Sequence, residues 1–218
     1  MTERPAGCGL YAVVDAGPAA GERLAAAFGA APLAAVLIAP AAGQRLSAAE
    51  AKPLLERARQ AGVAALLLEE AALARTLGAD GVHLAAGDDP QAAYRAARDT
   101  LGEGGVVGVD AGISRHAAMV LAEAGADYVG FGAPPHLKDR DKARGRREDL
   151  VSWWAPIFEV PCVAFDVETG EEARQLAAAG AEYVAVTLPA DAPAARELVS
   201  AIARSLAKTG IEAGRTTP

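Results

Sequence analysis

The feature that most constrains the fold of this chain is the regular alternation of short apolar runs with alanine-rich segments. The runs are apolar at consecutive rather than alternate positions, which is typical of parallel strands buried on both faces. The predicted strands are 10–15, 35–38, 63–68, 81–84, 106–109, 128–131, 162–165 and 183–186. The segments between and after them predict helices at 18–28, 47–60, 71–77, 90–101, 114–124, 147–155, 170–179 and 192–207.

This alternation indicates an α/β protein with a single (β/α)8 TIM barrel, for which 218 residues is near the short end of the size range. An open doubly wound sheet is the alternative, although it more often has about five or six strands. An internal repeat supports the barrel, since the pattern Gly-Ala-(Asp/Glu)-x-Val-x-apolar occurs at 78–84, 125–131 and 180–186. Each copy predicts a glycine that ends a helix, a turn and a buried strand.

The composition allows one large core and excludes disordered and fibrous classes, because 52% of the residues are hydrophobic and 22% are charged. The net charge of −7 repels the phosphate backbone, so we expect no general nucleic-acid binding. Two cysteines, Cys8 and Cys162, cannot form a disulfide framework and lack metal-ligand spacing. We predict one domain over residues 1–208, followed by a polar C-terminal tail over 209–218.

Neither the N-terminus nor the interior of the chain predicts a membrane segment. Residues 1–7 lack the basic-then-apolar pattern of a signal peptide. Residues 24–44 carry no charge over 21 positions, which is long enough to span a bilayer. However, two glycines and two prolines interrupt this stretch, which predicts the end of a helix, a turn and a buried strand. We therefore expect a soluble, cytoplasmic protein with reduced cysteines and no membrane contact.

Residues 78–90 read Gly-Ala-Asp-Gly-Val-His-Leu-Ala-Ala-Gly-Asp-Asp-Pro, and residues 124–132 read Ala-Gly-Ala-Asp-Tyr-Val-Gly-Phe-Gly. The first stretch resembles the strand-four signature of the thiamine phosphate synthases, GADGVHLGQ-x-D-x-P, and the second resembles their strand-six signature. The apolar run 10–15 fits their first strand. The resemblance extends over about residues 9–200, and it is equally strong to the sister thiazole tautomerases, which share the barrel.

The resemblance implies thiamine biosynthesis and a magnesium-dependent coupling. In the family, a pyrimidine methyl diphosphate loses pyrophosphate, and the nitrogen of a thiazole phosphate captures the resulting cation. Such chemistry needs cations and a metal near the leaving diphosphate and hydrogen-bond donors for the thiazole phosphate. The implied ligand is therefore a phosphorylated small molecule.

The resemblance also implies a magnesium site made of two carboxylates. Family synthases have one acid after strand three, where this chain has Glu69, and one in the strand-four signature, where it has Asp88. Two carboxylates together with phosphate oxygens are ligands that Mg²⁺ commonly accepts. The alternative is that these two acids, with Glu70 and Asp89, are solvated loop residues.

The cationic residues that the family uses for the diphosphate are largely replaced. The family's Gln-x-Arg-x-Lys at the end of strand two corresponds to the apolar stretch 37–41, and the nearest basic residue is Arg45. Loss of one preorganised electrostatic donor costs roughly 3–4 kcal/mol of transition-state stabilisation.

The loop after strand six departs from the family as well, but it is strongly basic. Residues 138–147 contain six basic residues in ten. We predict that Arg140 and Lys142 act as catalytic cations on the leaving group, and that Gly132 and Lys138 bind substrate, since arginine suits bidentate phosphate contacts. The alternative is an exposed loop whose charges are solvated or contact a partner.

The loops after strands seven and eight differ from the phosphate-binding loops of the family. The family ends strand seven with Gly-Gly, whose backbone N–H groups approach a phosphate closely, whereas this chain has Asp166-Val167. After strand eight, Thr187-Leu188 retains a single hydroxyl, and Thr187 is a predicted substrate-binding residue. A phosphate at this end of the barrel is therefore not expected.

The three histidines separate the enzyme hypotheses. The tautomerases have a histidine just after strand five, where this chain has Ile113, with His116 one turn later. His83 lies inside a predicted strand and is expected to be a hydrogen-bonded structural residue. His136, in the strand-six loop, is the predicted catalytic residue for general acid–base chemistry.

Three hypotheses follow from these residues. The chain is a synthase that uses Mg²⁺ at Glu69 and Asp88, an isomerase or lyase that acts on another phosphorylated small molecule, or a non-catalytic binding or regulatory paralogue. The replaced cations argue against efficient synthase turnover. The resemblance and the apolar pair Trp153-Trp154 also suggest a homodimer, although two tryptophans on a helix equally predict a core position.

Overall fold

The structure is a computed structural model that describes residues 7–133 and 138–213, with side chains through residue 208. The strands are β1 (Gly9–Asp15), β2 (Ala35–Ala39), β3 (Ala64–Leu68), β4 (Gly81–Leu84), β5 (Val106–Asp110), β6 (Tyr128–Phe131), β7 (Cys162–Ala164) and β8 (Tyr183–Thr187). The helices are α1 (Ala20–Phe28), α2 (Ala48–Ala61), α3 (Ala71–Leu77), α4 (Pro90–Leu101), α5 (Arg115–Ala124), α6 (Arg140–Trp154), α7 (Gly170–Ala178) and α8 (Ala192–Ala213).

The strands form a closed barrel in which each strand pairs in parallel with its two neighbours in sequence order. The barrel closes where β1 pairs with β8, with Gly9 opposite Tyr183. This closure confirms the predicted (β/α)8 barrel and excludes the open doubly wound sheet.

Alternate residues of each strand point into two separate cores. In β2, Val36 and Ile38 pack outward against the helices, whereas Leu37 packs inside the barrel. The inner core also contains Tyr11, Tyr128 and Phe165. Most strands are therefore apolar on both faces, which explains why the runs in the sequence are nearly continuous.

The helix ends follow the local signals in the sequence. The Ser47 side chain accepts a hydrogen bond from the Glu50 N–H while the Glu50 carboxylate accepts one from the Ser47 N–H, which completes a capping box at α2. The first glycines of the three repeats have φ values of 65° at Gly78, 96° at Gly125 and 103° at Gly180. Glycine is the residue that adopts this left-handed conformation without strain, so the repeats mark helix ends as predicted.

The largest difference from the sequence prediction concerns the basic stretch 138–147. It was expected to be a loop, but α6 begins at Arg140, seven residues before the predicted start at 147. The Asp139 side chain accepts a hydrogen bond of 3.0 Å from the Lys142 N–H and caps the helix. The helix also buries Arg147, a charged residue that a hydrophobic pattern does not mark as a core position.

The last helix, predicted over 192–207, continues to Ala213. Within the described part of the chain, neither α8 nor any other helix has the length and apolar composition needed to cross a membrane.

The two tryptophans of α6 lie at the helix–barrel interface. Trp154 is buried, and its Nε1 donates a hydrogen bond of 2.7 Å to the Val160 carbonyl. Its ring stacks on that of Phe158, with 3.9 Å between the ring centroids. Trp153 is partly buried and contacts Phe158 and the Arg115 guanidinium. The core interpretation of this pair is therefore confirmed for Trp154.

Candidate active site at the carboxyl ends of the strands

Four alternate strands bring an acidic side chain to the same end of the barrel. Asp15 ends β1, Glu69 follows β3, Asp110 ends β5 and Asp166 lies two residues beyond β7. Because all the strands are parallel, their carboxyl ends meet at one mouth, where TIM barrels carry their chemistry. The mouth is therefore acidic on every second strand.

Asp15 belongs to a structural ion pair. Arg23 of α1 is only 2% exposed and donates to Asp15 Oδ2 at 2.8 Å and to Oδ1 at 3.1 Å. The same guanidinium donates to the carbonyls of Leu188 and Pro189 at 3.4 Å. The hydrogen bonds from Arg23 hold the pKa of Asp15 below its usual value. This pair joins β1, α1 and the segment after β8, so Asp15 has a structural role.

Glu69 is held in an unusual backbone conformation at the end of β3. Its φ is 65°, which is uncommon for a residue with a side chain. Its N–H donates to the His83 carbonyl at 2.9 Å, and its Oε1 accepts from the Ala85 N–H at 2.5 Å. These bonds aim the carboxylate at the loop after β4. Its Oε2 has no hydrogen-bond partner among the described residues.

Asp88 and Asp89 have different surroundings although they are neighbours in sequence. Asp89 caps α4, because its Oδ1 accepts a hydrogen bond of 2.9 Å from the Ala92 N–H. Asp88 is exposed and makes no hydrogen bond or ion pair with any residue that the structure describes. Asp89 is therefore a helix cap, and Asp88 is the acid of this loop that remains available to a ligand.

The donor set of Glu69 and Asp88 fits a magnesium ion that completes its coordination with phosphate oxygens and water. The two acids follow β3 and β4, which are adjacent strands, with Leu68 opposite His83. Mg²⁺ is usually held by one or two carboxylates plus substrate phosphates. Over residues 7–133 and 138–208, no group of three or more His, Cys, Asp or Glu side chains is arranged for a metal. A site confined to protein ligands is therefore not formed by the described residues.

Asp110 is the acid at the mouth whose ionisation is most perturbed. Its Oδ1 accepts a hydrogen bond of 2.7 Å from the Gly112 N–H. Burial raises the pKa of Asp110 to about 6, and the nearby negative charge of Asp166 adds to this effect, against the lowering effect of the Gly112 N–H. A carboxyl group with a pKa near 6 can both accept and donate a proton close to neutral pH.

Asp166 also has a positive φ, 58°, at the position where the resemblance implied a glycine. Its Oδ2 accepts a hydrogen bond of 3.0 Å from the Ala133 N–H, which joins the ends of β6 and β7. Burial raises the pKa of Asp166, against the lowering effects of the Ala133 N–H and of Arg147 and Arg140. The carboxylate thus occupies a backbone N–H that an anionic ligand could otherwise use.

Three of the four arginines of α6, Arg140, Arg144 and Arg147, are already paired with acids of the β7–α7 segment. Arg140 donates to Glu168 Oε1 at 2.6 Å, and Arg144 donates to Glu168 Oε2. Against the raising effect of burial, these hydrogen bonds keep the pKa of Glu168 below its usual value. Arg147 is 1% exposed and donates to Glu172 Oε1 and to the Phe165 carbonyl, the latter at 2.6 Å. We call Arg140, Arg144, Arg147, Glu168 and Glu172 the arginine–glutamate network.

A polar chain lies inside the barrel below the mouth. His83 Nδ1 and the Tyr128 hydroxyl are 2.9 Å apart, and the Tyr128 and Tyr11 hydroxyls are 3.3 Å apart. His83 stacks on Phe165 at 4.6 Å between ring centroids. Burial lowers the pKa of His83 to about 3, so the ring is neutral. The expectation of a buried, hydrogen-bonded structural histidine is confirmed.

Glycine at position 108 makes room for this chain. Gly108 lies in β5 opposite His83 on one side and Tyr128 on the other. A Cβ atom at Gly108 would overlap the Tyr128 ring. The small residue therefore lets the tyrosine ring cross the barrel interior.

A cavity of about 440 Å³ lies where β7 and β8 end. Its lining includes Arg140, Asp166, Glu168 and Thr187 together with apolar side chains. The structure thus brings two of the predicted site residues, Arg140 and Thr187, to one cavity.

The other predicted site residues are not gathered around this cavity. Lys138 and Lys142 are exposed, and neither forms an ion pair within the described ranges. Gly132 is buried and is not among the residues that line the cavity. His136 lies outside the described residues. The idea of a fully solvated basic loop is wrong for Arg140, Arg144 and Arg147, because acids of the next β–α unit neutralise them.

The comparison of sequence and structure reveals site residues that the sequence reasoning missed. Asp110 carried a usable signal, because an acid ends an otherwise apolar strand. No sequence signal indicated that Glu168 and Glu172 pair with arginines of α6, since the partners are 24 to 28 residues apart. Arg45 was considered for the diphosphate, but it donates to Glu70 at 3.2 Å.

The amino-acid sequence of this chain is similar to those of known thiamine-phosphate synthases. The family model described as thiamine monophosphate synthase matches residues 10–189. A thiamine-phosphate synthase of Erythrobacter litoralis is 38% identical over 72% of this chain and 73% of its own length. The thiamine-phosphate synthase of Rhodospirillum centenum is 42% identical over 57% of this chain and 58% of its own length.

Solved structures show the same fold at low sequence identity. The thiamine phosphate pyrophosphorylase of Pyrococcus furiosus superposes with a TM-score of 0.74 and 18% identity over 95% of this chain and 99% of its own. Tryptophan synthase of M. tuberculosis gives a TM-score of 0.71 at 14% identity over 92% of this chain and 94% of its own. At such identities the likeness concerns the barrel alone.

Proposed function

Since its residues 10–189 match the family model, the chain belongs to the thiamine monophosphate synthase family, and we propose that it is a slow transferase of the synthase type. In the proposed reaction, the thiazole nitrogen forms a bond to the exocyclic methylene carbon of the pyrimidine. The carbon–oxygen bond to the diphosphate breaks, and pyrophosphate leaves with the bonding electron pair.

We expect slow turnover for one reason: Arg140, Arg144 and Arg147 of α6 are already paired with acids of the protein. Arg140 and Arg144 share Glu168, and Arg147 donates to Glu172 and to main-chain carbonyls. A paired guanidinium offers less charge to a leaving diphosphate than a free one. Loss of one preorganised donor typically lowers kcat about 10²- to 10³-fold, so substantial attenuation is expected.

The residues proposed to act on the diphosphate lie on two sides of the mouth. Glu69 and Asp88 would hold Mg²⁺, which when bound neutralises charge on the leaving group. Lys138 and Lys142, both exposed near the start of α6, would supply the remaining positive charge. Asp15 is proposed to play no part in the chemistry, because Arg23 holds both of its carboxylate oxygens.

The test is calorimetric titration of pyrophosphate and of the pyrimidine diphosphate, each with and without Mg²⁺, followed by chromatographic detection of the coupled product. Asp88→Asn should weaken the magnesium-dependent binding about tenfold or more, since a charged ligand contact is lost. Asp89→Ser is the matched control, because serine also caps a helix and should leave binding unchanged.

Unchanged binding in Asp88→Asn would remove the metal assignment. Absence of binding by the pyrimidine diphosphate in the wild type, with or without Mg²⁺, would overturn the proposed function itself.

A second candidate function is favoured by Asp110. Its pKa of about 6 suits proton transfer to and from a small ring compound, the chemistry of an isomerase. In that case turnover would depend on Asp110 and would not require Mg²⁺. Magnesium-independent turnover that is lost in Asp110→Asn would favour this candidate over the synthase.

A further inference from the structure

The cavity at the ends of β7 and β8 carries more negative than positive charge. Among the described residues that line it, Arg140 is the one cation, whereas Asp166 and Glu168 are both acidic. Arg140 is itself engaged, because it donates to Glu168 at 2.6 Å and to the Ala133 carbonyl. A phosphate entering this cavity would face two carboxylates and a guanidinium that is already paired.

Main-chain donors next to this cavity are also occupied by carboxylates. Asp166 Oδ2 accepts the Ala133 N–H at 3.0 Å. The N–H of Glu168, a lining residue, donates to Glu172 Oε2 at 2.8 Å. Neither N–H is therefore open to a phosphate.

The same groups suit a neutral hydroxyl. Carboxylate oxygens of Asp166 and Glu168 accept hydrogen bonds, and the hydroxyl of Thr187, which is exposed at the end of β8, can donate or accept. An alcohol group can therefore form hydrogen bonds with both acceptors and a donor in this cavity, while the ion pair between Arg140 and Glu168 stays in place.

We propose that this cavity receives the hydroxyl end of the acceptor, so that the substrate is the unphosphorylated thiazole alcohol rather than the thiazole phosphate. The proposal rests on the proposed transferase function and names its acceptor class. The thiazole nitrogen still forms the new carbon–nitrogen bond as the carbon–oxygen bond to the diphosphate breaks. The products are then thiamine and pyrophosphate, and the alcohol group of the acceptor is unchanged.

The test titrates each acceptor separately, without the pyrimidine diphosphate, by calorimetry. The wild type should bind the thiazole alcohol at least about tenfold more tightly than the thiazole phosphate, a difference that one charged contact can supply. In Glu168→Gln, Arg140 and Arg144 lose their shared acid, so binding of the phosphate should strengthen about tenfold relative to the alcohol. Glu171→Gln is the matched control, since Glu171 pairs with Arg174 on the outer side of α7 and should leave both affinities unchanged.

A second variant covers the case in which Glu168→Gln does not fold. Thr187→Ala changes one exposed hydroxyl and should weaken the alcohol several-fold while leaving the phosphate unaffected. Tighter binding of the phosphate by the wild type, or no binding of either acceptor, would overturn the proposal. Because these titrations omit the pyrimidine diphosphate, they can fail while the diphosphate still binds in its own titration, which separates this failure from failure of the transferase proposal.

Discussion

The two sides of the barrel mouth differ in whether their charged side chains are paired within the protein. At the ends of β3 and β4, Asp88 is exposed and makes no ion pair with any other described residue, while Glu69 has one carboxylate oxygen without a partner there. At the ends of β6 and β7, the arginine–glutamate network joins cations to acids across α6 and α7. The first side keeps charge available to a ligand, whereas the second side satisfies its charges internally.

This difference shows that a count of basic residues does not measure the ability to bind phosphate. The stretch 138–147 is strongly basic in sequence, but its buried arginine, Arg147, donates to Glu172 and to carbonyls of the β7–α7 segment. Such an arginine orders the segment after β7. Ligand binding at the mouth therefore depends on the charges that the fold leaves unpaired.

We expect the largest loss of stability when Arg147, the buried arginine of the arginine–glutamate network, is replaced. Arg147→Met removes the closer cation of Glu172, whose side chain is 12% exposed, and leaves only the longer contact of 3.4 Å with Arg144. It also removes donors to the Phe165 and Asp166 carbonyls. Removal of one partner of a buried pair costs about 3–5 kcal/mol, and we expect this loss of unfolding free energy in urea titrations. The control, Arg174→Met, breaks an exposed pair and should cost less than about 1 kcal/mol. Equal losses in the two variants would contradict the assignment of Arg147 as a structural anchor.

Asp110 provides the next test, because its burial makes the charged form unfavourable. Its folded-state pKa, about 6, lies above the ordinary value, so its contribution to stability is complete below the ordinary pKa and is lost as the pH rises through 6. Asp110→Asn should therefore raise the free energy of unfolding by up to about 3 kcal/mol at pH 8, and the gain should vanish near pH 4. Urea titrations over this pH range make the measurement. A gain that does not depend on pH would exclude the titration of Asp110 as its cause.

Asp15 should show the smallest effect and the opposite pH dependence. The hydrogen bonds from Arg23 lower the pKa of Asp15, so its contribution to stability is present above the ordinary pKa of an aspartate and is lost as the pH falls. Asp15→Asn keeps an oxygen acceptor for the buried Arg23, which also donates to the main-chain carbonyls of Asp15, Leu188 and Pro189. Because the Asp15 side chain itself is 45% exposed, we expect a cost of only about 1–2 kcal/mol at pH 7. The cost should decline below pH 4 in the same urea titrations. A cost that grows on acidification would refute the sign of this shift.

Most of the fold could be predicted because it depends on local patterns. Continuous apolar runs marked all eight strands, and the repeated glycines at 78, 125 and 180 marked the ends of three helices. The start of α6 could not be predicted, because its helix begins within a charged stretch. That stretch is stabilised by acids from the β7–α7 segment rather than by a hydrophobic face of its own.

The candidate site was predictable only where single positions match the resemblance. Glu69 and Asp88 lie on adjacent strand ends, as expected, and Thr187 shares a cavity with Arg140. The metal assignment stays a prediction. The role proposed for Asp110 depends on burial, and the pairing of Glu168 depends on residues distant in sequence, so neither could be read from a linear pattern.

The sequence by itself determined the barrel and its strand order, because periodicity and turn residues act within a few positions of the chain. That order in turn placed Glu69 and Asp88 after neighbouring strands. Only the tertiary structure decided which of those charges remain available. Burial raised the pKa of Asp110, and the approach of α6 to the β7–α7 segment paired Arg140 with Glu168. Ionisation and charge pairing depend on distances in space, and folding sets those distances between residues that are far apart in the chain.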